Sequence, residues 1–176
     1  MFSFKKKYYF IIESIKDIDL KILKEKYNLT PQIIIAGEGP LENEIKSLIN
    51  KLSLNNQFIL TGNIEQTELF KVMAISDLIV IPSLFEAFGL AAIEAMYIRK
   101  AVILTNIDGL KEIGTNKINV IQVPVQDSPS IASAIVKLVN DKKYTNLLAN
   151  KARESVSKFD VNTIVNQWVE IFERGK

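Results

Sequence analysis

Short apolar runs alternate with amphipathic stretches from about residue 32 to residue 126. "QIIIAG" (32–37), "QFILTG" (57–62), "LIVIP" (78–82), "AVILT" (101–105) and "VIQV" (120–123) are brief, β-branched and apolar at consecutive positions. A strand that is apolar on both faces belongs inside a parallel sheet covered by helices. Between these runs lie "LENEIKSLINKL", "QTELFKVMAIS" and "FGLAAIEAMYI", whose apolar residues recur every three or four positions and so make one greasy helical face each. Strand and helix in repeated alternation predict a doubly wound α/β fold. Beyond residue 126 only helical patterns follow: "SPSIASAIVKLVND", with Ser128 as its expected cap and Pro129 in the first turn, then "YTNLLANKARESVSKF" and "VNTIVNQWVEIFERG". No repeat, low-complexity tract or Pro/Gly-rich linker divides the chain, so residues 1–176 are expected to form a single domain.

Composition narrows the chemistry. The chain has no cysteine and no histidine, which excludes disulfides, thiol nucleophiles, imidazole bases and the usual zinc ligand sets. Carboxylates, lysines, hydroxyls and backbone remain. A net charge of +2 gives no global pull on nucleic acid, although Lys5, Lys6 and Lys7 form a local basic run. No apolar run approaches the roughly 18 residues of a transmembrane helix, and the start shows no cleavable signal pattern. A cytoplasmic location is expected, with no nucleic-acid partner.

In an open parallel sheet, ligands sit beyond the carboxyl ends of the strands, where loops lead into helix N-termini. Two such loops stand out. "GEGPLENE" starts with Gly37 and Gly39, but Glu42 occupies the place of the third glycine of a dinucleotide fingerprint, so NAD is excluded. The same residues also read as a tight turn, with Pro40 in the first helical turn. "SLFEAFGLAAIEAM" (83–96) puts Glu86 in the turn after a strand, has Phe88, Gly89 and Leu90 begin a helix, and carries Glu94 further along it. Unpaired amides at a helix start attract anions, and a glycine lets a ligand approach the backbone. Carboxylates on both sides of that point would repel phosphate, but they would accept hydrogen bonds from sugar or ribose hydroxyls. Spacing alone leaves a second reading open, in which Glu86 is a helix cap and Glu94 a solvated side chain.

Together, the segments from "GEGPLENE" to "LFEAFGLAAIEAM" resemble the donor-binding, C-terminal domain of retaining GT-B "group 1" glycosyltransferases. Four motifs of that family occur in order: the Gly-x-Gly-Pro turn at Gly37 to Pro40, a strand ending in Gly62, the Asp77 to Ser83 phrase with Ser76 in place of alanine, and the pair Glu86 and Glu94 around Phe-Gly-Leu. The resemblance implies a Rossmann-like sheet followed by C-terminal helices. It implies that Glu86 contacts the donor sugar, that the amides of Phe88, Gly89 and Leu90 hold sugar and diphosphate, and that Glu94 binds the ribose hydroxyls. Gly37 and Gly39 belong to the same donor site, and Glu112 matches the glutamate that ends the family's Gly-Gly-x-Pro-Glu loop. Lys6 falls where the family has a lysine that neutralises the diphosphate, so Glu86 and Lys6 are the expected catalytic pair. A solvated basic run is the alternative reading for Lys5 to Lys7.

The activity so implied is sugar transfer from a nucleotide diphosphate to a glycan or lipid-linked acceptor with retention, without a metal or other cofactor. The implied partners are the nucleotide-sugar donor and an N-terminal acceptor domain, absent from this sequence, on the same or another polypeptide. Peripheral attachment of the complete enzyme at the inner membrane face is a further expectation. Two other readings stand beside it: a non-catalytic remnant or nucleotide-sugar-binding module, and a structural partner that docks on a full-length transferase. Departures from the family favour the former. Met1 stands where the family has an arginine, and by the same alignment the first strand is largely missing from the sheet centre, where Phe2 to Phe4 or another chain would have to fill the gap. Arg99, Asp108, Lys117 and Val120 replace family glycines, and Ala101 and Lys111 replace prolines.

Overall fold

The computed structural model describes residues 9–12 and 20–174, with side chains from residue 22 onward. Six strands form one sheet: β1 (Tyr9–Ile12), β2 (Gln32–Ala36), β3 (Phe58–Gly62), β4 (Leu78–Ile81), β5 (Ala101–Thr105) and β6 (Ile121–Val123). Their order is β3-β2-β1-β4-β5-β6, and every pairing is parallel. This is the doubly wound, Rossmann-like topology, with its order reversing between β1 and β4.

The apolar runs become strands because alternate residues bury on opposite faces. Ile33, Ile35, Leu78, Val80, Ala101 and Ile103 point into one core layer, beneath α1 (Leu20–Tyr27), α2 (Glu42–Lys51) and α6 (Ser128–Asn140). Ile34, Ile79, Ile81, Val102 and Leu104 point into the other, beneath α3 (Gln66–Ile75), α4 (Leu90–Tyr97), α5 (Asp108–Lys111) and α7 (Lys142–Ser155). A 3₁₀ turn (Val156–Phe159) and α8 (Val161–Arg174) end the described chain. No described residue of α8 is buried, and Val161, Val165, Trp168 and Phe172 are exposed along one side of it. Among the described residues no helix is long and apolar enough to cross a membrane.

Three expectations need correction. The centre of the sheet is not missing its strand: Tyr9–Ile12 lies between β2 and β4, with Phe10 opposite both Ile33 and Leu78 and Ile11 opposite both Ile34 and Ile79. Its sequence, Tyr-Phe-Ile-Ile, is aromatic and β-branched, as a strand requires. Phe2 to Phe4, the segment expected there, lie outside the described residues, as do Met1 and Lys5 to Lys7. The cap of α6 is Asp127 rather than Ser128: its carboxylate accepts from the Ser130 amide at 2.9 Å and from the Ser130 hydroxyl at 2.7 Å, and these bonds hold its pKa below the usual carboxylate value. Finally, α4 starts at Leu90, with Gly89 as its N-cap.

Two of the replaced family glycines do sit in left-handed backbone, Arg99 at φ 60° and Lys117 at φ 63°, whereas Asp108 is helical and Val120 has no positive φ. At the end of α4 the Arg99 amide donates to the Met96 carbonyl and the Lys100 amide to the Ala95 carbonyl, both at 3.0 Å. That is the double bond of a Schellman cap, which favours glycine at its left-handed position. Arg99→Gly should therefore raise stability by about 1 kcal/mol, since a side chain costs roughly 1–2 kcal/mol there and glycine returns part of this as unfolded-state entropy. A higher urea midpoint for Arg99→Gly, with Arg99→Ala unchanged, is the expected result.

Candidate functional site

The carboxyl ends of the strands collect the sequence-predicted residues. Gly37 follows β2 at φ 119°, and its amide donates to the Gly62 carbonyl at 3.0 Å, so the loops after β2 and β3 are joined where they leave the sheet. With Gly39, Pro40, Leu41, Glu42, Ile45 and Leu60, this turn lines a cavity of about 360 Å³. Pro40 and Leu41 form the turn that precedes α2.

The loop after β4 is the more constrained. Buried Thr105 donates its hydroxyl to the Ser83 carbonyl at 2.6 Å, pinning the loop's start to the end of β5. Gly89, at φ 76° and ψ 43°, turns the chain into α4, and a Cβ there would overlap the side chains of Ile113 and Leu110. The left-handed backbone is what calls for glycine here, and the two side-chain ends would also have to shift for any Cβ. A Cβ on Gly109 would likewise overlap the Glu86 carbonyl, so the first turn of α5 presses directly on the backbone of the loop. The Gly89 carbonyl accepts from Ala92 and Ile93 within α4. The amides ahead of them belong to the first turn, where a helix has no partners of its own to offer.

Glu86 is half-buried in this loop. Glu94, also half-buried, lies one turn into α4, and its Oε1 accepts from Gln66 Nε2 at 2.5 Å across the start of α3. Its second carboxylate oxygen is left for other donors. Exposed Glu112 caps α5 and joins Ala87, Phe88, Asp108, Gly109, Ile113 and Phe159 around a cavity of about 270 Å³. Thus Glu86, Phe88, Gly89, Leu90 and Glu112 gather at the ends of β4 and β5, while Gly37 and Gly39 line a separate hollow beyond β2. The Glu94–Gln66 bond links α4 to the β3 side. Lys6 lies outside the described residues. Among the described residues, no group of three or more Asp or Glu side chains converges as a metal cage would need.

An amide-rich helix start bracketed by two carboxylates, at the edge where the strand order reverses, suits a ligand that carries both phosphate and hydroxyls. Comparison with known proteins decides which family this is: the family model described as glycosyl transferases group 1 matches residues 2–155. The chain belongs to that family. An uncharacterized glycosyltransferase of Methanocaldococcus jannaschii is 29% identical over 154 residues, which are 87% of this chain and 39% of that protein. The chain thus spans well under half the length of this curated relative. Among solved structures, the C-terminal domain of a glycosyl transferase group 1 family protein from Francisella tularensis is 25% identical and superposes with a TM-score of 0.76 over 88% of this chain and 87% of that one. The HepE protein of Anabaena in complex with UDP shares the fold at 23% identity, with a TM-score of 0.79 over 96% of this chain and 49% of that one. The likeness to the C-terminal domain of GT-B transferases, first seen in the motifs, therefore holds over nearly the whole chain.

Within this group 1 domain, the sequence pattern did not reveal Gln66 or Phe159. Each enters the site through a contact made across the fold, and neither sits in a local motif. Gly109 carries a prediction. Because its missing Cβ makes room for backbone, Gly109→Ala should lower stability by about 1–3 kcal/mol, the usual range for overpacking. Gly39→Ala, with no atom within 4 Å of the added carbon and no positive φ, should stay within about 0.5 kcal/mol of the parent. Urea unfolding of both variants checks the contrast.

Proposed function

We propose that this chain supplies the donor-binding half of a glycosyltransferase that moves a sugar from a nucleotide diphosphate to an acceptor with retention of anomeric configuration. The observation that carries the reading is the start of α4, where left-handed Gly89 opens the first-turn amides between Glu86 and Glu94. The amides of Phe88, Gly89 and Leu90 hold the diphosphate and sugar, since fixed N–H dipoles stabilise the charge that develops on the leaving group. Glu94, with one oxygen held by Gln66, offers the other to the ribose hydroxyls. Glu86 accepts from donor-sugar hydroxyls beside the reacting carbon, Glu112 borders the same hollow, and Gly37 and Gly39 line the nucleotide side. Lys6 is assigned to the diphosphate through the motif resemblance alone.

In this reaction the bond from the anomeric carbon to the diphosphate oxygen breaks, and the acceptor oxygen bonds to that carbon on the same face. The departing phosphate takes the acceptor's proton. No imidazole base is required, in keeping with a chain that lacks histidine. UDP bound to the structurally similar Anabaena protein supports a nucleotide-sugar ligand. Acceptor recognition falls to a second, N-terminal domain, because this chain spans only 39% of the Methanocaldococcus relative. The assembled enzyme would work in the cytoplasm, peripheral to the inner membrane face where the acceptor is lipid-linked.

Three of the departures from the family pattern leave the carboxyl edge around Glu86 undisturbed, whereas Met1 lies outside the described residues. Arg99 and Lys117 precede β5 and β6, at the opposite ends of the strands from Glu86. Asp108, the replacement nearest the site, is helical and forms an ion pair with Lys111 at 2.9 Å.

Calorimetric titration with UDP-, GDP- and ADP-sugars tests the proposal. Glu94→Ala should weaken nucleotide and nucleotide-sugar alike by about tenfold or more, since hydrogen bonds to a charged group are worth roughly 1.5–3 kcal/mol. Glu86→Ala should abolish the preference for nucleotide-sugar over bare nucleotide diphosphate. Equal losses of both ligands in both variants would overturn the role assignment. Metal independence is a separate expectation: EDTA should leave the affinity unchanged, and a large loss on chelation would count against a site built from amides and carboxylates.

A further inference from the structure

We infer that the 3₁₀ turn Val156–Phe159 is a strap that positions the two loops of the donor-sugar hollow, with Phe159 acting on Phe88 and Lys158 on the end of α5. The inference rests on the donor reading above and adds two positioning residues to it. The Phe159 ring meets Phe88 edge-on, with centroids 5.7 Å apart and planes at 83°. Lys158 Nζ donates to the Glu112 carbonyl at 3.1 Å and lies 4.8 Å from the centre of the Phe159 ring. One short turn therefore touches both the loop after β4 and the cap of α5, the two segments that line the hollow of about 270 Å³, and Phe159 itself forms part of the wall.

The rest of the loop's support differs in kind. Thr105 holds its start and Gly109 presses on its middle, and both belong to the β5–α5 segment next to it in the sheet. Phe88 is exposed, and the ring contact with Phe159 is what braces it from outside the sheet. The strap is itself anchored by Val156, which is buried with Met96 and Ala152 in the core. Phe159 is itself half-buried against this core layer, so truncating it removes some core packing along with the brace, and the behaviour of β4 separates the two effects. Edge-on aromatic pairs have a preferred geometry beyond their buried area, so this contact selects a loop conformation as well as covering it.

The test uses the full chain, with a readout that needs no ligand and one that does. In Phe159→Ala, NMR backbone order parameters of residues 84–89 should fall from about 0.85 to below about 0.6 while those of β4 stay as in the parent. Lys158→Met, an exposed substitution, should speed amide hydrogen exchange of residues 110–113, which are hydrogen-bonded within α5 and its cap, about tenfold. UDP-glucose affinity should fall about tenfold in Phe159→Ala with UDP affinity within twofold, and Phe159→Tyr should restore both loop order and affinity. Unchanged loop order overturns the strap whatever the parent chain binds, and equal losses of UDP and UDP-glucose overturn its role toward the sugar. If the parent binds none of the three sugar nucleotides but loop order still falls, the donor reading fails and the strap stands.

Discussion

Everything at the functional edge depends on parallel pairing in the sheet. A parallel strand cannot turn directly into its neighbour, so each must be followed by a crossover that returns the chain to the starting end. All five pairings here are parallel. The carboxyl ends of β2, β4 and β5 are consequently brought to one edge, and residues far apart in sequence meet there without any local signal that they should. The interior of the sheet is left with no chemistry of its own: Leu78 to Ile81 are buried on both faces, as are Ala101 to Thr105. Thr105, a polar residue in this layer, spends its hydroxyl on the backbone of the loop that carries Glu86.

The loop after β4 meets two opposing demands. It must stay open at the backbone, so that amides can face an anion, and it must hold one shape, so that carboxylates beside those amides do not repel it. Glycine solves the first and crowding solves the second. Gly89 admits the left-handed turn, while Leu110, Ile113 and the Gly109 backbone close in from α5. Shape is therefore imposed on the loop by its neighbours, and the loop's own sequence can remain small and permissive. This is why a glycine in a different segment, Gly109, matters as much to Glu86 as anything adjacent to it.

The sheet was largely legible because burial on both faces leaves a plain mark, an unbroken apolar run between turn residues. β2, β4 and β5 coincide with such runs, whereas the edge strands β3, with Ile59 exposed, and β6, interrupted by Gln122, carry the mark only in part. β1 does not stand apart in the same way, since "YYFII" has no turn residues around it and periodicity alone does not separate so short a run from a helix. The two shortest helical features, α5 and the 3₁₀ turn, have too few residues to show a period. Asp127 was overlooked as the cap of α6 in favour of the serine beside it, which shares the preference for that position. In the site, Glu86, Gly89 and Glu94 could be read from their place between a strand and a helix. Gln66 and Phe159 could not, because hydrogen bonds and ring contacts between distant segments leave no trace in local spacing.

The central place of β1 also bears on how the domain reaches its folded state. β1 pairs with β2 on one side and with β4 on the other, and α1, β2, α2, β3 and α3 all intervene before β4. Contacts that close such long stretches of chain are slow to form, because the entropy of closure is lost before the pairing compensates it. Any state in which β1 has paired with β2 but not with β4 exposes a bare backbone edge, the kind of surface on which chains join to one another. Pairing of Leu78–Ile81 with Tyr9–Ile12 removes that edge, and of the two pairings β1 makes it is the one that closes the longer stretch of chain.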